Sequence, residues 1–235
     1  MCKSAIALYL IIKLVGIKGE RMLKNKNILF NVLFKPLDYF DKFKQKRSTF
    51  LNIITLLVLN SIIIYMFSGT IFDSVLTDKV DTSLPIETYE KFKPIFSILI
   101  LFMNNIQLIF TLLLSSIILV VLAKVFKIKV KMADGFAILV VAYLPIMFSN
   151  AINYYALSKF GIESPITSMG ILLEKTGFPI LMHFGSQVEI FNIWSCFLIG
   201  LGVLTCADSN SKNVRNLIIA YWILQTALNV VFKSM

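Results

Sequence analysis

The sequence predicts an all-α polytopic membrane protein: a five-transmembrane-helix bundle preceded by an N-terminal amphipathic helix. Three observations carry this. The first is composition. Of 235 residues, 57% are hydrophobic and only 15% charged, with a mean hydropathy of +0.81, whereas a soluble chain carries roughly 45–50% apolar and about 25% charged residues. A surplus of that size needs lipid as a solvent. The second is length. Five apolar stretches, at 49–72, 95–123, 135–157, 190–207 and 214–232, match the roughly 20 residues that cross a hydrocarbon core about 30 Å thick; the only charge within them is Arg215, at the edge of the last. The third is the placement of Lys and Arg, which alternates from one connection to the next. The runs are solid rather than alternating, which excludes a β-barrel. The abundance of Phe, Ile and Leu excludes disorder, and three Cys, at 2, 196 and 206, exclude a disulfide framework.

Residues 1–48 form a basic N-terminal segment. An apolar piece at 5–17 is interrupted by Lys13 and has no cleavage site after it, so it reads poorly as a signal peptide. The expectation is that translation begins at Met22. Residues 35–47 (KPLDYFDKFKQKR) read as an amphipathic helix at the membrane surface. Pro36 suits a first helical turn. Leu37, Phe40 and Phe43 recur at helical spacing, while Lys42, Lys44, Lys46 and Arg47 can reach anionic headgroups.

The transmembrane domain occupies 49–232. Its second span has 29 residues, about 43 Å at 1.5 Å per residue, so it tilts or projects from the bilayer. Pro145 removes a backbone donor from the third span and should kink it. The connection 158–189 is long and carries Pro165, Gly170, Gly177, Pro179 and Gly185 around a short apolar piece at 169–173, which reads as an interfacial or re-entrant helix. Cys196 and Cys206 sit ten residues apart in the fourth span and read as structural.

Charge sets the expected orientation. Seventeen of the 23 Lys and Arg fall in the N-terminal segment and in the connections after spans two and four; eight of the 13 Asp and Glu fall on the other side. An excess of Lys and Arg marks the cytoplasmic face. The N-terminus is therefore expected inside and, with five spans, the C-terminus outside a cell membrane. The net charge of +10 is topology signal plus attraction to an anionic inner leaflet, and no nucleic-acid partner is expected.

No catalytic, metal or cofactor motif emerges. His183 is the only histidine, no phosphate-cradling loop is present, and no acid lies inside a span. What the spans do contain is amides: Asn60, Asn104, Asn105, Gln107, Asn150, Asn153 and Gln225. In hydrocarbon these must face each other or water. They form either a helix-packing layer or an outward-facing, amide-lined cavity.

The segment 191–207 (FNIWSCFLIGLGVLTCA), with Trp194-Ser195, an apolar stretch and Gly202, followed by a polar turn and another span, resembles the Yip-domain family of five-span Ypt/Rab-interacting-type membrane proteins. Tyr143 and Pro145, in Ala142-Tyr143-Leu144-Pro145, look like the family's Ala-Tyr segment, and residues 35–40 (KPLDYF) look like the opening of its prokaryotic members. The resemblance implies a cytoplasmic N-terminus and no catalytic residues. It implies a role in membrane transport or trafficking, as an accessory or assembly subunit binding a membrane-protein partner; bacterial relatives are similar to subunits associated with ABC-type exporters. The long soluble region that precedes the spans in eukaryotic members has no counterpart here. The competing expectation, from the amides, is a small permease or lipid/peptide-handling transporter. Oligomeric state is not legible.

Overall fold

The computed structural model describes residues 32, 35–45, 49–79, 86–162, 164–173, 178–207 and 209–234. The chain divides into two units, residues 1–46 and 47–235. In the first, helix α1 (Pro36–Gln45) occupies the stretch expected to be helical. Pro36 opens it at no cost, because a first-turn N–H has no intrahelical acceptor. Leu37 and Lys42 are exposed and Phe40 is buried, its ring edge-on to Tyr39 at 5.6 Å. Met22, Lys46 and Arg47 lie outside the described residues, as do the side chains of Phe43 and Lys44.

The second unit contains α2 (Thr49–Lys79), α3 (Ile86–Val125), α4 (Met132–Ala142), α5 (Leu144–Phe160), the short α6 (Gly170–Leu173), α7 (Pro179–Gln187), α8 (Ile190–Ala207) and α9 (Ser211–Ser234). Five stretches are long and apolar enough to cross a membrane: Thr49–Ile71, Pro94–Val125, Met132–Phe160, Ile190–Ala207 and Ser211–Val231. The five-span expectation holds.

The third span is the hub. Its apolar stretch is 61% buried within the protein, against 22–28% for the other four spans. α4 packs on α2, α3 and α8, and α5 on α2 and α8, while α9 closes the ring against α8 and α3. Sequence dictates this: beyond Asp134 in its first turn, α4 (MADGFAILVVA) carries no charged or polar side chain, and a helix with so little polar face settles inside. The remaining helices turn large apolar residues such as Phe50, Tyr65, Phe102 and Ile223 outward, where lipid receives them.

Pro145 does break the third span. Helices α4 and α5 meet at Tyr143, and Pro145 lies in the first turn of α5. Without an N–H it cannot bond the carbonyl four residues back. α3 runs for 40 residues with Pro94 inside it, about 60 Å at 1.5 Å per residue. It projects well past the hydrocarbon. The turn into α4 closes through Lys127, at φ 58°, with Ile128 N–H donating to the Ala123 carbonyl at 2.8 Å. Such left-handed closures satisfy the last carbonyls of a helix. Gly161, at φ 63°, ends α5 in the left-handed conformation that glycine adopts without steric cost.

The connection 158–189 holds two short helices, α6 and α7, rather than one. They cross at glycines: a Cβ on Gly185 would come within 2.6 Å of Leu173 Cδ1 and 3.1 Å of Gly170 N. A side chain at that crossing would crowd the facing backbone.

Candidate functional site

The amides of the spans do not converge on one point. Asn60 on α2 and Asn105 on α3 face each other, Asn60 Nδ2 donating to Asn105 Oδ1 at 3.1 Å; Asn105 Nδ2 donates to Ser61 Oγ at 2.9 Å and to the Leu101 carbonyl at 3.0 Å. Gln225 on α9 donates to Ser115 Oγ on α3 at 3.2 Å, and Tyr221 bonds the same pair of side chains. Asn150 bonds the Tyr143 hydroxyl within the third span. Asn153 belongs to a fourth group. Asn104 is half-buried and Gln107 exposed, and neither side chain has a hydrogen-bond partner among the described residues.

The fourth group is the most developed polar site of the bundle, and it lies at the acidic end. Glu189 is 7% exposed. The hydroxyls of Ser149, on α5, and Thr167, in the connection, both donate to its Oε1. Asn153 Nδ2 donates to Ser149 Oγ at 3.0 Å, and its Oδ1 stands 3.4 Å from Thr167 Oγ1. Glu189 also pairs its backbone with Ser168 in an isolated antiparallel bridge.

Local chemistry explains the geometry. Ser149 and Asn153 are four apart on one helix and share a face. Glu189 immediately precedes α8, where its carbonyl accepts from Ile193 N–H at 3.0 Å and the helix N-terminus favours a negative charge. A buried carboxylate costs several kcal/mol unless hydrogen-bonded, and the two hydroxyls supply those bonds. The result ties α5, the connection and α8 together.

Two further contacts fasten the connection to α9. Asn229 Nδ2 donates to Gln187 Oε1 at 2.9 Å, and the Phe184 ring stands edge-on to Trp222 at 6.5 Å. The folded connection thus forms a cap pinned on both flanks. It leaves Leu172, Phe178 and Leu181 exposed at 72%, 64% and 48%.

Sequence reasoning named Asn153 but not Ser149, Thr167 or Glu189. The available signal was the Ser149–Asn153 spacing together with an acid abutting an apolar run. Of the family-motif residues, Tyr143 and Pro145 mark the break in the third span, and Gly202 is buried in α8. The Trp194 indole N–H is buried without a hydrogen-bond partner among the described residues, its ring 5.2 Å from Phe197. Cys196 and Cys206 are both half-buried. Among the described residues no group of three or more His, Cys, Asp or Glu converges as a metal site would require.

The model of the Yip1 domain matches residues 30–232, nearly all of the chain. The protein belongs to the Yip1 domain family. No curated protein and no solved structure matches it. The match begins just before α1 and ends within α9, so it takes in all five spans, the cap and the buried Glu189 site. This Yip1-domain chain is therefore a multi-pass integral membrane protein.

Proposed function

We propose that this Yip1-domain protein acts without catalysis, as an accessory or assembly subunit in membrane transport or trafficking. It works by contact with a membrane-protein partner, an ABC-type transporter being the class expected, and with the lipid surface. The observation that carries this reading is the cap: a connection fastened to α5, α8 and α9 by specific bonds, yet presenting Leu172, Phe178 and Leu181 outward. A fixed shape with exposed apolar side chains is what a contact surface needs. The basic N-terminal segment, with Lys42 exposed on α1, suits an anionic inner leaflet, and in this reading the N-terminus is cytoplasmic and the C-terminus lies outside the cell membrane.

The permease reading gains less support. Asn60, Asn105 and Gln225 bond to neighbouring helices, as inter-helix packing groups do. Purification of the full chain from its native membrane in mild detergent separates the two. Stoichiometric co-elution of a second membrane protein, weakened by Leu172→Ser with Phe178→Ser, is the expected result. A chain that purifies without a partner and moves a solute across proteoliposomes would overturn the proposal.

A further inference from the structure

Helix α3 carries polar groups where lipid should be. Its membrane-crossing part is Pro94–Val125. Gln107 lies about 20 Å along the axis from Pro94 and about 27 Å from Val125, close to the middle of the bilayer, and it is exposed. Asn104 precedes it by three residues and exposed Thr111 follows by four. None of the three side chains has a hydrogen-bond partner among the described residues. A midplane amide facing hydrocarbon loses its hydrogen bonds to water and gains nothing in return. Ordinary lipid-facing positions on α3 are filled by Ile98, Phe102, Ile109 and Leu113, so the polar stripe is a local departure.

The stripe has a register. Ile100, Asn104, Gln107, Thr111, Leu114 and Ile118 follow each other at spacings of four, three, four, three and four. That is the a/d pattern of a left-handed helix pair. All six are half-buried or exposed, while the face that meets the bundle is built from Leu108, Leu112, Ser116 and Leu119, each buried. The seam is thus a second helix-packing face on α3, separate from the one already in use.

We propose that this seam pairs with the same seam of a second copy of the chain, forming a parallel dimer about a twofold axis along the membrane normal. Two copies inserted in the same orientation bring identical residues together at identical depth, a with a and d with d. Asn104, Gln107 and Thr111 each carry a donor and an acceptor, so each layer is complementary to itself. A run of polar layers fixes the register, as a single polar a-position residue does in soluble pairs. The seam shares no residue with the cap, so variants of the one test it separately from the other.

The test uses the full chain in native membranes, with Cys2, Cys196 and Cys206 replaced by Ala. Gln107→Cys should cross-link with a short thiol-specific reagent to a species of twice the 26.7 kDa chain mass, at least tenfold more than Ile109→Cys or Leu113→Cys on the other flank of α3. Equal cross-linking at all three positions, or a Gln107→Cys product containing a different protein, would overturn the dimer. As a second measurement, Gln107→Leu keeps the surface compatible with lipid and should weaken self-association in liposomes, followed by energy transfer on dilution, roughly five- to tenfold, about 1–1.4 kcal/mol. Unchanged affinity would overturn it equally.

Discussion

The two halves of the third span face the same bilayer and are held in opposite ways. α4 is buried from Ala137 to Ala142: Ile138, Val140, Val141 and Ala142 are each 1% exposed or less. α5 keeps Ile152 and Tyr155 exposed and is fixed to its surroundings through Ser149, which donates to the buried Glu189 and accepts from Asn153. Between them stands the break at Tyr143 and Pro145. The difference teaches that apolar packing and hydrogen bonding can divide one span between them. Lipid tails are as apolar as leucine, so α4 gains from close fit rather than from escaping water. α5 is instead bonded to a carboxylate, which acts as its fastener.

The largest expected effect comes from spoiling the fit. Ile138→Ala should cost about 2–4 kcal/mol, since a rigid surround cannot collapse around the lost atoms. The lipid-facing counterpart Ile109→Ala, on α3, should stay within about 0.5 kcal/mol. Reversible unfolding in mixed micelles measures both. Equal losses at the two positions would mean that α4 is not the hub.

Next in size is the fastener. Glu189→Ala leaves the Ser149 and Thr167 hydroxyls without their acceptor, at a cost of about 1–3 kcal/mol. The loss should be local: faster proteolysis between residues 158 and 189, with the helix bundle retained. Glu189→Gln keeps an acceptor oxygen and should protect the connection more than Glu189→Ala does. Identical cleavage rates for wild type and Glu189→Ala would show that the cap is held by other contacts.

What could be read from the sequence divides along the same line. The five spans follow from run length alone, because the bilayer imposes one length on each of them. The break at Pro145 follows from a missing N–H. The partners of the amides do not follow, because a hydrogen bond between α2 and α3 depends on rotation about each helix axis, which run length leaves free. Asn104 and Asn105 make the point: adjacent in sequence, they sit about 100° apart around α3, and only Asn105 meets α2. Glu189 lies just before an apolar run, and nothing in its sequence neighbours marks it as buried. Its burial depends on Thr167 and Ser168 folding back over it, a long-range event with no local signal.

The smallest expected effect is the most exacting test of the contrast between fit and bonding. Asn60 and Asn105 bond across α2 and α3, two helices that pack against each other. If bonding in the bundle is ordinary membrane glue, a double-mutant cycle of Asn60→Ala and Asn105→Ala should return a coupling of about 0.6 kcal/mol. Asn105→Ala alone should cost more than Asn60→Ala alone, because Asn105 also holds Ser61. A coupling several times larger would place a functional polar centre between α2 and α3, whereas zero coupling would mean that each amide finds a substitute partner when the other is removed. The value expected lies between, since an amide freed in lipid recovers part of its bonding from its own helix.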